Sequence, residues 1–280
     1  MNSINLYNNI SDECSKLITQ RYSTSFTLGI KMLAKKFHNP IYAIYGFVRL
    51  ADEIVDTFHD HDKKELLADF TRQTDRALSN GISTNPVLQA FKNVVHQYDI
   101  PKNLIDAFLH SMEMDLQEKT YSDNKYNEYI YGSAEVVGLM CLRVFVEGDN
   151  EMYKMLEPNA KSLGSAFQKV NFLRDMKSDF EERGRVYFPG VDFVMFDQEM
   201  KANVEADIQK DFDHALIGLM KLPVGARFGV YTAYKYYLKL FKKIKSATPE
   251  KVKEERIRIP NGQKMAILAK ALVRHNLNLL

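Results

Sequence analysis

Asp52–Asp56 and Asp175–Asp179 are two acidic pairs of identical spacing, set about half a chain apart. On a helix, residues four apart share a face, with Cβ atoms roughly 6 Å from one another. Two carboxylates that close repel by about a few tenths of a kcal/mol even in water. A chain that does this twice has places prepared for positive charge. Donors that are all oxygen suit a hard cation, Mg²⁺ first and Mn²⁺ as the alternative. Mg²⁺ keeps several waters and is held by few carboxylates together with the phosphates of a substrate. The expected ligand is therefore phosphorylated. No Gly-x-x-x-x-Gly-Lys-Ser/Thr loop or Gly-x-Gly-x-x-Gly turn is present to cradle it. Metal and basic side chains must do so.

A lone pair of this kind is most often solvated surface charge; the surroundings distinguish these two. Tyr45, Arg49, Asp52 and Asp56 fall on one stripe at i, i+4, i+7 and i+11, among Phe47, Val48, Leu50, Ala51, Ile54 and Val55. Gln168, Asn171, Asp175 and Asp179 form a second stripe beside Val170, Phe172, Leu173 and Met176. A polar stripe on an otherwise apolar helix must face partners or a cavity, because unpaired buried charge is costly. Asp52, Asp56, Asn171, Asp175 and Asp179 are the expected metal ligands. Arg49 and Arg174 stand close enough to the pairs to hold phosphate oxygens.

The elements that carry these stripes read as helices. Apolar residues recur at spacings of three and four, as in Leu104, Ala107, Phe108 and Met112, and sustained alternation is hard to find. Pro40 opens the first acidic helix, while Pro101 and Pro158 stand where new helices would begin. Thr248-Pro249-Glu250 reads as an N-cap, and Asn80-Gly81 to Pro86 as a loop; Pro189 closes the second acidic segment. Residues 1–280 are expected to form one all-α domain, its two acidic helices facing each other across a central cavity. Hydrophobic residues make up 45% and charged residues 26%, and a formal net charge of +2 argues against nucleic-acid binding. Cys14 and Cys141 read as reduced thiols of a cytoplasmic protein. The longest apolar run, Val136 to Val146, is broken by Arg143, so no transmembrane segment is expected.

The ordered motifs resemble the squalene/phytoene synthase family, the head-to-head trans-isoprenyl diphosphate synthases. The resemblance rests on Ser23-Thr-Ser25-Phe26, Tyr45-x-x-x-Arg49-x-x-Asp52-x-x-x-Asp56 and Tyr129-Ile-Tyr131-Gly132. It continues through Gln168-x-x-Asn171-x-x-Arg174-Asp175-x-x-x-Asp179 into Arg183-Gly184-Arg185-Val-Tyr187-Phe-Pro189. Ala51-Asp52-Glu-Ile-Val-Asp56 looks most like bacterial phytoene synthases. The resemblance implies an isoprenoid-synthase helical fold around a central cavity. It also implies Mg²⁺-dependent coupling of two prenyl diphosphates through a cyclopropylcarbinyl diphosphate, without NADPH in the phytoene case. Ser23, Ser25, Phe26, Tyr45, Arg49, Tyr131, Gln168, Asn171, Arg174 and Tyr237 would then contact substrate, and Tyr45 is a candidate proton acceptor. The alternatives are a squalene or dehydrosqualene synthase acting on farnesyl diphosphate and, more distantly, a non-catalytic binding partner.

Two departures stand out: Ser133-Ala134-Glu135 replaces the Val-Ala-Gly of many relatives, and Thr24 stands at an often basic position. Gly132, Ser133, Ala134, Val137 and Gly138 are the candidates for lining a deep end of the cavity. His59-Asp60-His61-Asp62 reads as a solvated turn. Lys239, Lys242, Lys243, Lys245, Lys251 and Lys253 form a basic stretch, either a solvated face or a peripheral contact with the inner face of a membrane. Arg256 and Arg258 either reach a diphosphate or are surface charge.

Overall fold

The structure, a computed structural model, describes residues 2–276. Thirteen α-helices are found among them. In chain order they are α1 (Ser3–Tyr22), α2 (Thr24–Lys31), α3 (His38–Asp56), α4 (Lys63–Asn80), α5 (Pro86–Gln97), α6 (Lys102–Gln117) and α7 (Asp123–Ile130). Then follow α8 (Val136–Val146), α9 (Asn150–Glu181), α10 (Gln198–Leu219), α11 (Val224–Lys245), α12 (Pro249–Glu254) and α13 (Asn261–Asn276). No strand occurs among the described residues, and one apolar core joins the helices. The all-α, single-domain expectation holds.

Local chemistry places many of the helix ends. Asp62, Asn85, Asp149 and Asp197 turn their side chains onto backbone N–H groups of the first turns of α4, α5, α9 and α10. Asp62 is the last residue of the His/Asp tract, so that tract is the N-terminal cap of α4. Thr248 caps α12 with Pro249 in its first turn, as the sequence predicts. Gly81, at φ +75°, ends α4 in the left-handed region that glycine enters freely.

Two proline expectations fail. Pro158 does not start a helix; α9 runs through it. An internal proline costs about 3 kcal/mol, so packing has to offset it, and α9 lies along α10 and α8 for much of its length. Pro189 does not end the second acidic helix either. That helix stops at Glu181, and the chain turns at Gly184, at φ +65°.

α3 runs through the middle of the molecule. Phe47 is fully buried, stacked on Phe91 with ring centroids 3.9 Å apart and set against Phe70 and Phe108. α1 crosses α3 closely because Gly46 faces Ser15; a Cβ on Gly46 would already lie 3.0 Å from the serine side chain. Ser11 and Thr19 on the same face of α1 donate their hydroxyls to carbonyls one turn back, which lets them be buried.

α7 and α8 are one continuous helix joined by a single π-helical turn, Tyr131–Glu135. The segment Asp123–Val146 is long and apolar enough to cross a membrane by length and composition, although Arg143 interrupts its apolar run. More than half of its apolar window is buried inside the protein, as in a core helix. Here the deep-end candidates are corrected. A Cβ on Gly132 would lie 2.5 Å from the Ala107 carbonyl, one on Gly138 3.1 Å from that of Ala160, and Gly164 of α9 meets the Ala134 carbonyl likewise. These small residues bring α6, α8 and α9 together. Of the five candidates, only Ser133 lines the cavity.

Candidate active site

A cavity of about 480 Å³ opens between α3 and α9, within the roughly 300–1,000 Å³ range of ligand sites. Both acidic pairs line it. So do Ser23, Ser25 and Phe26 from α2 and its cap, Tyr45 and Arg49 from α3, Gln168, Asn171 and Arg174 from α9, and Tyr237 from α11. The two predicted stripes thus face one space, as their apolar surroundings require. Tyr131 does not reach it. One turn position away from the lining residue Tyr129, its ring lies under the Lys161 ammonium instead.

Several lining residues were assigned no role from sequence. Arg183 and Arg185 follow α9 in the loop and tie the two halves together. Arg183 Nε lies 3.4 Å from Asp56 and its Nη1 donates to Asp179 at 3.0 Å, so one guanidinium links the last aspartates of both pairs. Arg185 reaches Asp56 at 3.4 Å and Asp115 at 3.5 Å, and donates to the Asp115 carbonyl at 2.8 Å. An isolated bridge between Thr120 and Val186, with the Val186 N–H donating to the Lys119 carbonyl at 2.9 Å, holds that loop against the end of α6.

Asp115 is the centre of a buried network. It accepts hydrogen bonds from the hydroxyls of Tyr129 at 2.7 Å, Tyr187 at 3.2 Å and Tyr121 at 3.3 Å. Burial raises its carboxyl above the ordinary range, while Arg185 and the Tyr129 hydrogen bond pull the other way. Burial, together with the Asp115 charge, holds the Tyr129 phenol far above its ordinary range, so it stays a donor. The rings of Tyr187 and Phe172 stack at 3.9 Å beside it. An aspartate between Met114 and Leu116 carries no sequence signal, since its partners come from α7 and the loop after α9.

The arginines divide by what they hold. Arg174 donates from Nε to Asp175 Oδ1 at 3.0 Å and bonds the other carboxylate oxygen through Nη2. Arg256 also reaches Asp175, at 2.7 Å, whereas the Arg258 carbonyl accepts from Lys243. Of the two, Arg256 lines the cavity and Arg258 does not. Arg49 pairs with Glu53, lies 4.0 Å from Asp52 and sits over the Tyr22 ring at 4.4 Å. Its Nε is buried with no hydrogen-bond partner. A guanidinium donor left unsatisfied in a cavity wall suits an anionic ligand.

The carboxylates bear on a metal in a complementary way. Burial and the charges of Asp56, Asp115 and Glu53 push Asp52 up to about 7, with Arg49 opposing. Burial and Asp175 push Asp179 up to about 7, with Arg183 and Arg185 opposing. The Asp52 side chain is 34% exposed, but it opens onto the cavity. Among the described residues, no three His, Cys, Asp or Glu groups converge into a complete metal cage. Each pair thus contains one carboxyl that resists ionisation when no cation is near, Asp52 in the first and Asp179 in the second, and the oxygens of both pairs fit a hard cation whose remaining ligands come from water and substrate.

This has a measurable consequence. A carboxyl with a raised folded pKa stabilises the fold fully below its unfolded value, near 3.9, and that contribution is lost as pH rises through about 7. Asparagine mimics the protonated form at every pH. In chelator, Asp52→Asn should therefore melt above the wild type at pH 8, with the gap closing towards pH 4. Scanning calorimetry across that range checks it; a wild type that gains on the variant as pH rises would contradict the assignment.

A family model described as squalene/phytoene synthase matches residues 19–263. A phytoene synthase from Arthrospira platensis is 27% identical over 94% of this chain and 93% of its own length. A 4,4′-diapophytoene synthase from Staphylococcus haemolyticus is 25% identical over 69% of this chain and 67% of its own. Among solved structures, a dehydrosqualene synthase in complex with ligand superposes with a TM-score of 0.80 at 21% identity, covering 95% of this chain and 96% of that one.

Proposed function

This chain belongs to the squalene/phytoene synthase family of prenyltransferases, and we propose that it couples two geranylgeranyl diphosphates head to head into phytoene, through a cyclopropylcarbinyl diphosphate. The observation that carries the reading is the charge inventory of the cavity. Among the described residues, five aspartates and five arginines line it, with no Lys, His or Glu. A wall that offers both signs in this way suits a ligand that carries both, a diphosphate with its divalent cations. Asp52, Asp56, Asn171, Asp175 and Asp179 are the residues that would hold Mg²⁺ or Mn²⁺. Bound there, such a cation supplies positive charge to diphosphate oxygens as they leave.

The chain's own residues supply the rest. Arg49 offers its unpaired Nε to a diphosphate, and Arg183 and Arg185 hold the far aspartates in place. Phe26 stacks on Tyr45 at 4.6 Å, and Phe172, Tyr187, Tyr236 and Tyr237 add further ring surface. Aromatic faces stabilise an allylic cation without capturing it. Burial and Asp52 push the Tyr45 phenol up to about 12. At neutral pH it is therefore a neutral phenol, and the final proton passes to released diphosphate or to the Tyr45 oxygen. Chain length is best read from Met112, Ser133 and Phe172, which line the cavity, rather than from Ala134, which does not.

A C15 substrate is the second reading, favoured by a relative that bears a diapophytoene synthase name at nearly the same identity as the phytoene synthase. Purified protein given Mg²⁺ and either farnesyl or geranylgeranyl diphosphate, with and without NADPH, separates the two. The expected product is C40 from the C20 substrate, unchanged by NADPH. A C30 hydrocarbon alone would overturn the phytoene reading and leave the family intact.

A further inference from the structure

α11 holds Arg227 and five lysines, α13 holds Lys264, Lys270 and Arg274, and neither holds an Asp or Glu. The chain as a whole is almost balanced, with 38 basic against 36 acidic residues, so these two helices carry a local basic excess. Within it lies a groove of about 320 Å³ between the two helices. Its floor is Tyr231, Leu238, Ile267 and Ala271, and its rim is Lys235, Lys239 and Lys242.

The rim lysines stand at i, i+4 and i+7 on α11, where like charges repel. Elsewhere the protein neutralises its interior lysines: Lys169 sits on Asp207 and Asp211, and Lys201 on Glu205. The rim lysines have no carboxylate partner among the described residues; Lys235 lies over the Tyr231 ring. A cationic rim above an apolar floor matches an amphiphile with an anionic head. Nucleic acid would match the rim but would leave the floor unused.

The groove also borders the reaction cavity. Ile267 lines both the groove and a small void shared with Ser25, Ala233 and Tyr236, and those three residues line the cavity. α11 supplies side chains to both spaces, Ala233, Tyr236 and Tyr237 to the cavity and Tyr231, Leu238 and the rim lysines to the groove.

We propose that the α11–α13 groove docks the protein on an anionic lipid bilayer, with lysines on headgroup phosphates and the apolar floor taking hydrocarbon. The surface lies where a product too apolar for water would have to leave. This builds on the prenyl-lipid reading above, but vesicle binding is measured without turnover, so either can fail alone.

The full chain is sedimented with vesicles of phosphatidylglycerol and phosphatidylcholine, and with phosphatidylcholine alone. Binding is expected only to the anionic vesicles and should weaken as salt screens the charges. Combining Lys235→Gln, Lys239→Gln and Lys242→Gln should weaken it roughly 100-fold. Neutralising the exposed Lys64, Lys154 and Lys210 should leave it within about twofold of the wild type. Because the chain has no Trp, Leu238→Trp provides a sole reporter of the floor. Its emission should shift to the blue on vesicles and be quenched by brominated lipid. Equal binding by the rim and control variants, equal binding to neutral vesicles, or retention on heparin without vesicle binding would each overturn the proposal.

Discussion

Asp52→Asn should lower turnover of prenyl diphosphate on the order of 10³-fold, with helical content unchanged and, in chelator at pH 8, a melting temperature no lower than wild type. The carboxylate faces the cavity beside Asp56, and among the described residues its one basic neighbour within ion-pair distance, Arg49, is already bonded to Glu53. Removing its charge therefore leaves no buried cation stranded. Asp175→Asn should lose turnover to a similar degree but is the less clean test. Arg174 and Arg256 both end on that carboxylate, and the side chain of Arg174 is largely buried. A stability loss is expected there as well. Steady-state kinetics with saturating Mg²⁺, beside circular dichroism, reads both variants. Wild-type turnover in Asp52→Asn, or in excess EDTA, would remove the cation from the proposed chemistry.

How far the sequence announced this site depends on how far along the chain each contact reaches. The two polar stripes were legible because helix periodicity alone decides which residues share a face. Apolar neighbours such as Phe47 and Leu173 then decide that this face looks inward. The cap at Thr248 was legible for the same local reason. Asp115 was not: its meaning comes from Tyr129, Tyr187 and Arg185, which only the tertiary fold brings to it. The bridging role of Arg183 likewise depends on the Thr120–Val186 contact between distant loops. Glycines near a motif were read as cavity lining, yet their absent Cβ atoms serve the approach of α6, α8 and α9. Composition cannot tell a small residue that makes room for a ligand from one that makes room for a helix. Pro158 shows the reverse case, a strong local signal overridden by packing along α9.

Arg49 and Arg174 occupy matched places beside the two acidic pairs, but lysine should affect them differently. Arg49 has a buried Nε with no partner, held in the cavity wall by Glu53 and the Tyr22 ring. Lysine keeps the charge but lacks the fork that aims that donor. Arg49→Lys should therefore lower kcat/KM roughly 10–100-fold, the worth of one charge-assisted hydrogen bond, at every Mg²⁺ concentration. Arg174 spends its fork on Asp175 through both carboxylate oxygens, so it acts on substrate through that ligand. Arg174→Lys should raise the Mg²⁺ concentration needed for half-maximal activity and recover much of its rate when Mg²⁺ is added. A Mg²⁺ titration of both variants at fixed substrate checks the division. Rescue of Arg49→Lys by Mg²⁺, or none for Arg174→Lys, would reverse the two roles. Wild-type kinetics in both would show that each arginine only neutralises its neighbouring carboxylate.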